Sequence, residues 1–356
     1  MHRHKIVILA LILTIATAWS QTEWAHQESS LLSSLEYKQP AFKFTEVVEG
    51  VYCAQGTENL PVWCNATIIV NESEVIVVDS HIIPVAATAL LEELREITQK
   101  PVRYLINSHY HFDHVLGNQS YPDDVDIIGH EFTKDAIVSG ASMSGRAYDL
   151  YIGGIPSQIK SILKQLETAS DPGKRVELER LLTYGENLLT GIRTVKPKAP
   201  NIVFRQKLTL YKGDRKIRLL FLGRGHTGGD IVVHLPREGL LITGDLIYES
   251  LSYMGNAYFT EWVETLERLK SLEFDWIVPG HGAPFQDRNR IDYFQSYLRD
   301  FWERVKKLYK AGVSAAEATK RIDMRDHSER YPEITGVGVH PHAVERAYEL
   351  LDKDKK

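Results

Sequence analysis

The densest group of potential metal ligands in the sequence is Asn107-Ser108-His109-Tyr110-His111-Phe112-Asp113-His114, with three imidazoles and one carboxylate within six residues. The apolar run directly before it is typical of a buried strand. Alternate residues of an extended chain point the same way, so we expect His109, His111 and Asp113 to converge while His114 faces the other side. Four adjacent ligands that face two directions indicate two metal ions.

Three further candidate ligands lie downstream, each after a strand-like apolar run and each beside glycine. They are His226 in Gly-His-Thr-Gly-Gly-Asp, Asp245 in Thr-Gly-Asp and His281 in Pro-Gly-His-Gly. Glycine lets the backbone approach a crowded site without a Cβ in the way. A polar surface loop is the simpler explanation of one such motif, but buried polar clusters need partners, and the repeated pattern supplies them. The four motifs therefore predict one site assembled from four strand ends.

Taken in order, the motifs HYHFDH, GHTGGD, TGD and PGHG resemble those of the metallo-β-lactamase superfamily, over about residues 47–281. The resemblance implies that Asp79, at the end of another strand, supports the site from behind its ligands. It also implies two metal sites that share one carboxylate: His109, His111 and His226 hold the first, Asp113, His114 and His281 hold the second, and Asp245 bridges both.

The pattern of strands and helices alone predicts an α/β or α+β protein. The resemblance implies a four-layer αββα sandwich of two mixed β-sheets with outer helices. Residues 47–54, 65–70 and 75–78 predict the first strands, and Thr260 is expected to cap a later helix. Two amphipathic stretches predict a helical hairpin inserted at about residues 139–200. It could cover the active site, contact another subunit or only enlarge the core, and packing alone is preferred.

The chain is predicted to have four parts. Residues 1–20 form a signal peptide, 21–40 an N-terminal arm, 41–312 the metallo-β-lactamase-like domain and 313–356 a C-terminal helical extension. The signal peptide is inferred from a basic start, an apolar run at residues 6–15 and the small residues Ala16, Ala18 and Ser20. The apolar run is short for a bilayer span, so we expect a secreted or periplasmic protein with no stable membrane anchor.

Imidazole and carboxylate ligands without thiolate favour two zinc ions, and iron or manganese accept the same set. Two such ions roughly 3.5–4 Å apart would lower the pKa of a bridging water and supply hydroxide near neutral pH. Asp113 is the candidate for moving the proton of that water to the leaving group. Asp230 could also act as an acid, but its position favours capping the start of a strand. The expected reaction is hydrolysis of a carbonyl or phosphoryl ester, lactone, thioester or lactam.

Several activities within and beyond hydrolysis fit these ligands. A β-lactamase or lactonase suits an exported enzyme, although many β-lactamases have cysteine in place of Asp245 and lysine in place of Tyr248. A glyoxalase-II-like thioesterase fits equally well, but export would separate it from cytosolic thioesters. A persulfide dioxygenase with one iron stays an alternative, whereas the flavodiiron proteins carry glutamate in place of His111. The complete ligand set disfavours a non-catalytic metal-binding protein.

Composition limits the partners. The chain has 356 residues, 43% hydrophobic and 25% charged, with a net charge of −5, which is typical of a globular protein with a substantial core. Mild acidity without a basic run argues against a nucleic-acid partner, so we expect a small-molecule substrate. The sequence gives no indication of the oligomeric state.

The remaining cysteines and histidines are assigned structural roles. Cys53 and Cys64 could form a disulfide in an oxidising compartment or remain two buried thiols. His81 is expected at a cap or on the surface, and His130 is interpreted as structural. The spacing of His340-Pro341-His342 is typical of a metal motif, but no strand end accompanies it, so a surface or capping role is preferred.

Overall fold

The computed structural model describes residues 37 and 39–353. The predicted signal peptide and most of the predicted N-terminal arm therefore lie outside the described residues. Within the described part of the chain, no helix is both long and apolar enough to cross a lipid bilayer.

A seven-stranded sheet is built by the first half of the chain, and its spatial order follows the sequence. Its strands are β1 Phe42–Val48, β2 Val51–Gly56, β3 Ala66–Val70, β4 Val75–Val78, β5 Val102–Ile106, β6 Asp126–His130 and β7 Ile202–Phe204. Strands β1 to β4 pair antiparallel, and β4 to β7 pair parallel. The single strand predicted over residues 47–54 is wrong, because the chain turns at Gly50, whose φ of +70° suits glycine.

A five-stranded sheet is built by the second half of the chain. Its strands are β8 Lys207–Lys212, β9 Arg215–Phe221, β10 Ile231–Leu235, β11 Leu240–Gly244 and β12 Trp276–Pro279. Their spatial order is β12-β11-β10-β9-β8, in which only β11 and β12 pair parallel. Both sheets are therefore mixed, as predicted.

Side-chain alternation along the strands separates two apolar layers. In β10, Ile231, Val233 and Leu235 point into a core shared with the first sheet, to which Ile69, Ile76 and other residues of β2 to β6 contribute. Val232, between them in sequence, points to the opposite face and packs among helices. This alternation places the two sheets face to face with helices outside, which confirms the predicted sandwich.

The helices pack on the outer faces of the sheets. They are α1 Pro84–Glu93, α2 Phe112–Val115, α3 Glu131–Val138, α4 Arg146–Tyr151, α5 Ile155–Thr168, α6 Pro172–Arg193, α7 Phe259–Lys270, α8 Asn289–Lys310, α9 Ala315–Arg321 and α10 Pro341–Lys353. The predicted hairpin is α5–α6, with Asp171 capping α6 through a 2.7 Å bond from Lys174 N. The predicted cap at Thr260 is wrong, because α7 begins at Phe259. The boundaries of the four predicted parts stay predictions.

Candidate metal centre

The seven candidate ligands lie on loops at one edge of the sandwich, directly after strand ends. Four follow β5, one lies between β9 and β10, one follows β11 and one follows β12. Every one of them has a ligand atom within 4.8 Å of those of at least two others. The structure thus brings together all of the residues that the sequence proposed: His109, His111, Asp113, His114, His226, Asp245 and His281.

One detail of the predicted geometry is wrong. The segment after His111 is not extended, because His111 precedes the single turn of α2, which holds Asp113 and His114. The His114 backbone N–H donates to the His111 carbonyl at 3.0 Å, which closes that turn. Successive residues of a helix are separated by about 100° rather than 180°, so His114 faces the same cluster as its neighbours. Its Nε2 lies 3.4 Å from Asp245 Oδ1.

The ligand atoms of these seven residues fall into three groups, of which two share no residue. The first triplet is His109, His111 and His226, and the second triplet is Asp113, His114 and His281, while the third group, His109, His114 and Asp245, overlaps both. In the first, His111 Nδ1 lies 2.9 Å from His226 Nε2. In the second, His281 Nε2 lies 3.3 Å from Asp113 Oδ2 and 3.4 Å from His114 Nε2.

Asp245 lies between the triplets. One of its oxygens, Oδ2, is 3.5 Å from His226 Nε2 of the first triplet and 3.3 Å from His281 Nε2 of the second. The carboxylate therefore reaches ligand atoms of both groups, which is the position that a ligand shared by two cations requires.

Hydrogen bonds outside the cluster set which ring nitrogen of each histidine faces it. His111 donates through Nε2 to Asn256 Oδ1 at 3.1 Å, and His281 donates through Nδ1 to the Trp63 carbonyl at 3.0 Å. His109 Nδ1 lies 3.0 Å from the hydroxyl of Ser108, which itself donates to a carboxylate. In each case the other ring nitrogen faces the cluster, which is the usual arrangement of metal-binding histidines.

Three buried atoms of the cluster residues lack a hydrogen-bond partner among the described residues: His109 Nε2, Asp245 Oδ1 and His226 Nδ1. The first two face the cluster, whereas His226 faces it through Nε2. A buried polar atom without a partner costs about 1–3 kcal/mol, and a cation held by the cluster would satisfy His109 Nε2 and Asp245 Oδ1. Five imidazoles and two carboxylates, with no thiolate, form a donor set that suits divalent cations of the zinc type. The residues present therefore fit a pair of metal ions.

Burial and the neighbouring carboxylates determine the charge on the imidazoles. Burial lowers the pKa of His109 well below its usual value and that of His226 to about 3, so both are neutral. Burial also opposes charge on His281, but the carboxylates of Asp245 and Asp113 outweigh it and raise its pKa to about 10. A metal ion at the second triplet must therefore displace a proton, and we expect binding there to strengthen as the pH rises.

Asp79 anchors the ligand loop from behind. Its carboxylate accepts bonds from the Ser108 backbone N–H at 2.8 Å, from the Ser108 hydroxyl at 2.7 Å and from His114 Nδ1 at 2.8 Å. Asp79 has a φ of +66°, a conformation that few residues with a Cβ adopt. The role implied for Asp79 by the family resemblance agrees with these contacts.

Replacing Asp79 with asparagine should weaken the binding of a divalent metal about 10–100-fold, which is the usual effect of losing such a support. The amide cannot accept all three bonds, so His114 and the loop lose their fixed orientation. Asparagine tolerates positive φ, so the fold should persist. Zinc competition against a chromophoric chelator measures the effect, and an unchanged affinity would show that Asp79 only shapes the backbone.

A cavity of about 430 Å³ opens over the cluster. Among the described residues that line it there is no lysine or arginine. Its walls beyond the ligands are largely aromatic, and Trp63, Phe112, Tyr151, Tyr248 and Tyr253 supply them. The cavity can therefore receive a small molecule whose surface near the cluster is apolar or neutral.

The other histidines and the cysteines are not among the grouped ligand atoms, although the Cys64 side chain interacts with His114. The surface alternative for His81 is wrong, because the ring is buried and its Nδ1 bonds the Cys64 carbonyl at 3.1 Å. His130 accepts a bond from Phe132 N at 3.1 Å and caps α3, which agrees with the structural role predicted for it. Cys53 and Cys64 are both buried free thiols, and burial raises the pKa of each to about 12.

Two loop residues near the cluster have roles close to those preferred from the sequence. Asp230 accepts bonds from the backbone N–H of Thr227 at 2.8 Å and from its hydroxyl at 2.6 Å, so it closes the loop before β10. Burial raises the pKa of this carboxyl to about 7. His340 accepts a bond from His342 N at 3.2 Å and caps α10, while His342 Nδ1 lies 3.0 Å from the Tyr253 hydroxyl.

Sequence reasoning missed several residues that shape the site. Asn256 and Trp63 orient histidines through bonds described above, yet neither lies in a motif. Trp63 has a φ of +71°, and nothing in the sequence predicts this conformation. Tyr151 lines the cavity from α4, with its ring centroid 6.2 Å from that of Phe112. Tyr253 lines it from the loop before α7, with its ring centroid 6.2 Å from that of His111.

Comparison with known proteins gives a match to one family. The model of the family described as "Metallo-beta-lactamase superfamily" matches residues 61–281. A linear primary-alkylsulfatase from Pseudomonas sp. is 22% identical over 283 residues, which cover 73% of this chain and 50% of that protein. A type 2 metallo-beta-lactamase from Bacteroides fragilis is 32% identical over 114 residues, covering 30% of this chain and 45% of that protein.

The chain spans about half the length of the curated relatives that it matches. Among solved structures, the metallo-beta-lactamase from Pontibacter korlensis is similar with a TM-score of 0.52 and 16% identity, covering 72% of this chain and 99% of that one. At that identity the similarity concerns the fold alone.

Proposed function

The chain belongs to the metallo-beta-lactamase superfamily, and from that membership we propose that it is a secreted, dinuclear zinc hydrolase. Its substrate is a small molecule with a neutral carbonyl ester, above all a lactone. The observation that carries the proposal is that six ligands form two triplets and that the seventh, Asp245, lies close to both.

Zinc at the two triplets would polarise a carbonyl group and lower the pKa of a bound water, which is the chemistry that ester hydrolysis needs. His109, His111 and His226 would hold the first ion, Asp113, His114 and His281 the second, and Asp245 would contact both.

Asp113 is the group placed to carry a proton. It lies at the base of the cavity, with Oδ2 3.3 Å from His281 Nε2. Burial by itself would favour its acid form, but His114 and His281 outweigh burial and lower its pKa, so it is a carboxylate at neutral pH. In that form it can accept a proton from an attacking water and return it to the leaving group.

Tyr248 is a hydrogen-bond donor at the cavity wall. Its ring lies 5.4 Å from that of His281. Burial, reinforced by the charge of Asp245, raises the pKa of its phenol well above the usual value, so the hydroxyl keeps its proton. A protonated phenol beside the cluster can stabilise the oxygen on which negative charge develops when a carbonyl is attacked.

The charge of the cavity favours a lactone over a β-lactam antibiotic. A β-lactam carries a carboxylate that needs a cation, and no described residue lining the cavity is a lysine or arginine. A lactone has no such group. A β-lactam and an alkyl sulfate are the alternative substrates, because relatives of this chain are named for them.

Metal analysis and a substrate panel test the proposal. We expect two zinc ions per chain, hydrolysis of lactones that a chelator abolishes, and recovery when zinc is added back. The panel includes a chromogenic cephalosporin, a primary alkyl sulfate and a thioester under the same conditions. One iron per chain with sulfur-dependent oxygen uptake would instead identify a dioxygenase, and turnover confined to another panel member would replace the lactone.

Export is part of the proposal and is supported by the N-terminal pattern. A basic start, an apolar run and the small residues Ala16, Ala18 and Ser20 precede the described chain. Expression with a C-terminal tag should yield a mature protein in the exported fraction whose mass lacks about the first 20 residues. A full-length mass in the cytosol would contradict export.

A further inference from the structure

An apolar cleft of about 570 Å³ runs between α5 and α6 and the body of the protein. This volume lies within the range of sites that bind small molecules. None of the described residues lining it is an aspartate, glutamate, lysine or arginine. Half of the lining residues are aliphatic, namely Leu150, Ile155, Ile159, Ile162, Leu181 and Leu188, and Gln158, Tyr184 and His340 are the polar ones besides the aromatics Trp63 and Tyr151.

The cleft adjoins the cavity over the metal centre. Trp63 and Tyr151 line both spaces, with their ring centroids 6.3 Å apart. The Trp63 carbonyl accepts the bond that orients His281, so the junction lies beside the second triplet. Trp63 and Tyr151 therefore form the boundary that a molecule bound at the metal centre would have to pass to reach the cleft.

Parts of the cleft lining are left open to water. Leu150 is 40% exposed, Tyr151 42% and Leu181 37%. Covering such apolar surface contributes about 25 cal/mol per Å². Gly185 lies in α6 where an added Cβ would be 3.1 Å from Ile159 Cγ1, so the helices are already in close contact there and the open surface lies to either side.

We propose that this cleft binds an unbranched alkyl or acyl chain of the substrate whose ester is held at the metal centre. The proposal rests on the hydrolase function proposed above and adds the substrate class to it. An aliphatic chain matches the lining because it needs no hydrogen-bond partner. Each methylene transferred from water contributes about 0.8 kcal/mol, which corresponds to about a fourfold gain in affinity.

A homologous series of γ-lactones with alkyl substituents of increasing length tests the cleft. We expect kcat/KM to rise about fourfold for each added methylene and then to level off when the chain outgrows the cleft. A flat dependence on chain length would overturn the proposal, because the ester chemistry is the same throughout the series.

Matched variants locate the effect. Ile159→Asp puts a charge into the lining and should abolish the dependence on chain length while short lactones are still hydrolysed. Leu163→Asp, on the same helix, 46% exposed and outside the lining, is the control and should behave as wild type. Leu181→Trp narrows the cleft from its exposed side, so the plateau should move to shorter chains even if Ile159→Asp fails to fold. An unmoved plateau would contradict the assignment.

Direct binding separates this proposal from the hydrolase function. Titration calorimetry with 1-hexanol, 1-octanol and 1-decanol should show affinity rising with length in wild type and in Leu163→Asp, with or without chelator. If the alcohols bind in this way but no ester is hydrolysed, the alkyl-binding role of the cleft is supported and the hydrolase function is wrong. If lactones are hydrolysed but the alcohols do not bind, only the alkyl-binding role of the cleft is wrong.

A second copy of the chain is the competing occupant of this surface. Sedimentation velocity of wild type and of both aspartate variants distinguishes it. We expect the same species in all three proteins. A wild-type dimer that both substitutions dissociate would assign the helices to a subunit interface and overturn the proposal.

Discussion

Replacing Asp113 with asparagine should lower kcat/KM about 10²–10⁴-fold and leave the fold intact. This is the range expected when a positioned proton carrier is lost. The amide has the same shape as the carboxylate, so the single turn of α2 and its backbone bonds remain. It cannot accept a proton at neutral pH, and it offers His281 no negative charge.

Zinc content separates the two roles of Asp113. A variant that keeps two zinc ions and loses turnover identifies the residue as a proton carrier, while loss of one ion identifies it as a ligand. Asp149→Asn, an exposed carboxylate on the neighbouring α4, is the control and should retain wild-type rates. Wild-type turnover in Asp113→Asn would remove Asp113 from the mechanism.

The ligand set could be predicted because metal binding fixes residue type and local spacing. His226, Asp245 and His281 each follow a strand and stand beside glycine, and strand ends collect at one edge of a sandwich whatever the details of packing. The strands β9 to β12 could be predicted because their apolar runs are short and separated by clear turns, whereas the arrangement in two mixed sheets was implied by the family resemblance alone.

The local geometry could not be predicted to the same depth. The turn of α2 depends on a bond from His114 N to the His111 carbonyl, and an alternating polar motif suits an extended chain equally well. The residues that orient the ligands are placed by tertiary contacts alone. Asn256 lies 145 residues from His111 and the Trp63 carbonyl 218 residues from His281, so no local pattern marks either.

The helical hairpin shows a third limit. Apolar periodicity within about residues 139–200 predicted two helices, and packing was the preferred role for them. Part of that packing is present, since Gly191 of α6 faces Ile83 beside α1, where an added Cβ would lie 2.8 Å from Cγ2. The cleft beside α5 depends on the distance between the hairpin and Tyr151 on α4. The spacing of apolar residues along a helix carries no information about that distance.

Replacing Gly280 with alanine should lower kcat/KM by at least about 10²-fold. An added Cβ would overlap Asp245 Oδ1 and lie 2.9 Å from His114 Cε1. The backbone cannot retreat, because Gly280 N donates to the Gly244 carbonyl at 2.8 Å and its own carbonyl accepts from Asn65 N at 2.7 Å. The carboxylate shared by the two triplets must therefore move, and a shift of about 1 Å at a reacting centre can cost that much activity.

A second glycine provides the matched control for Gly280→Ala. Gly336 has no heavy atom within 4 Å of an added Cβ, so Gly336→Ala should keep its zinc and its turnover. Zinc content and kcat/KM of the two variants, measured together, test the steric argument. In Gly280→Ala we expect less than two zinc ions per chain together with the loss of activity, because Asp245 contacts both triplets. If both variants matched wild type, Asp245 would have to tolerate displacement, and its place as the ligand shared by two cations would be wrong.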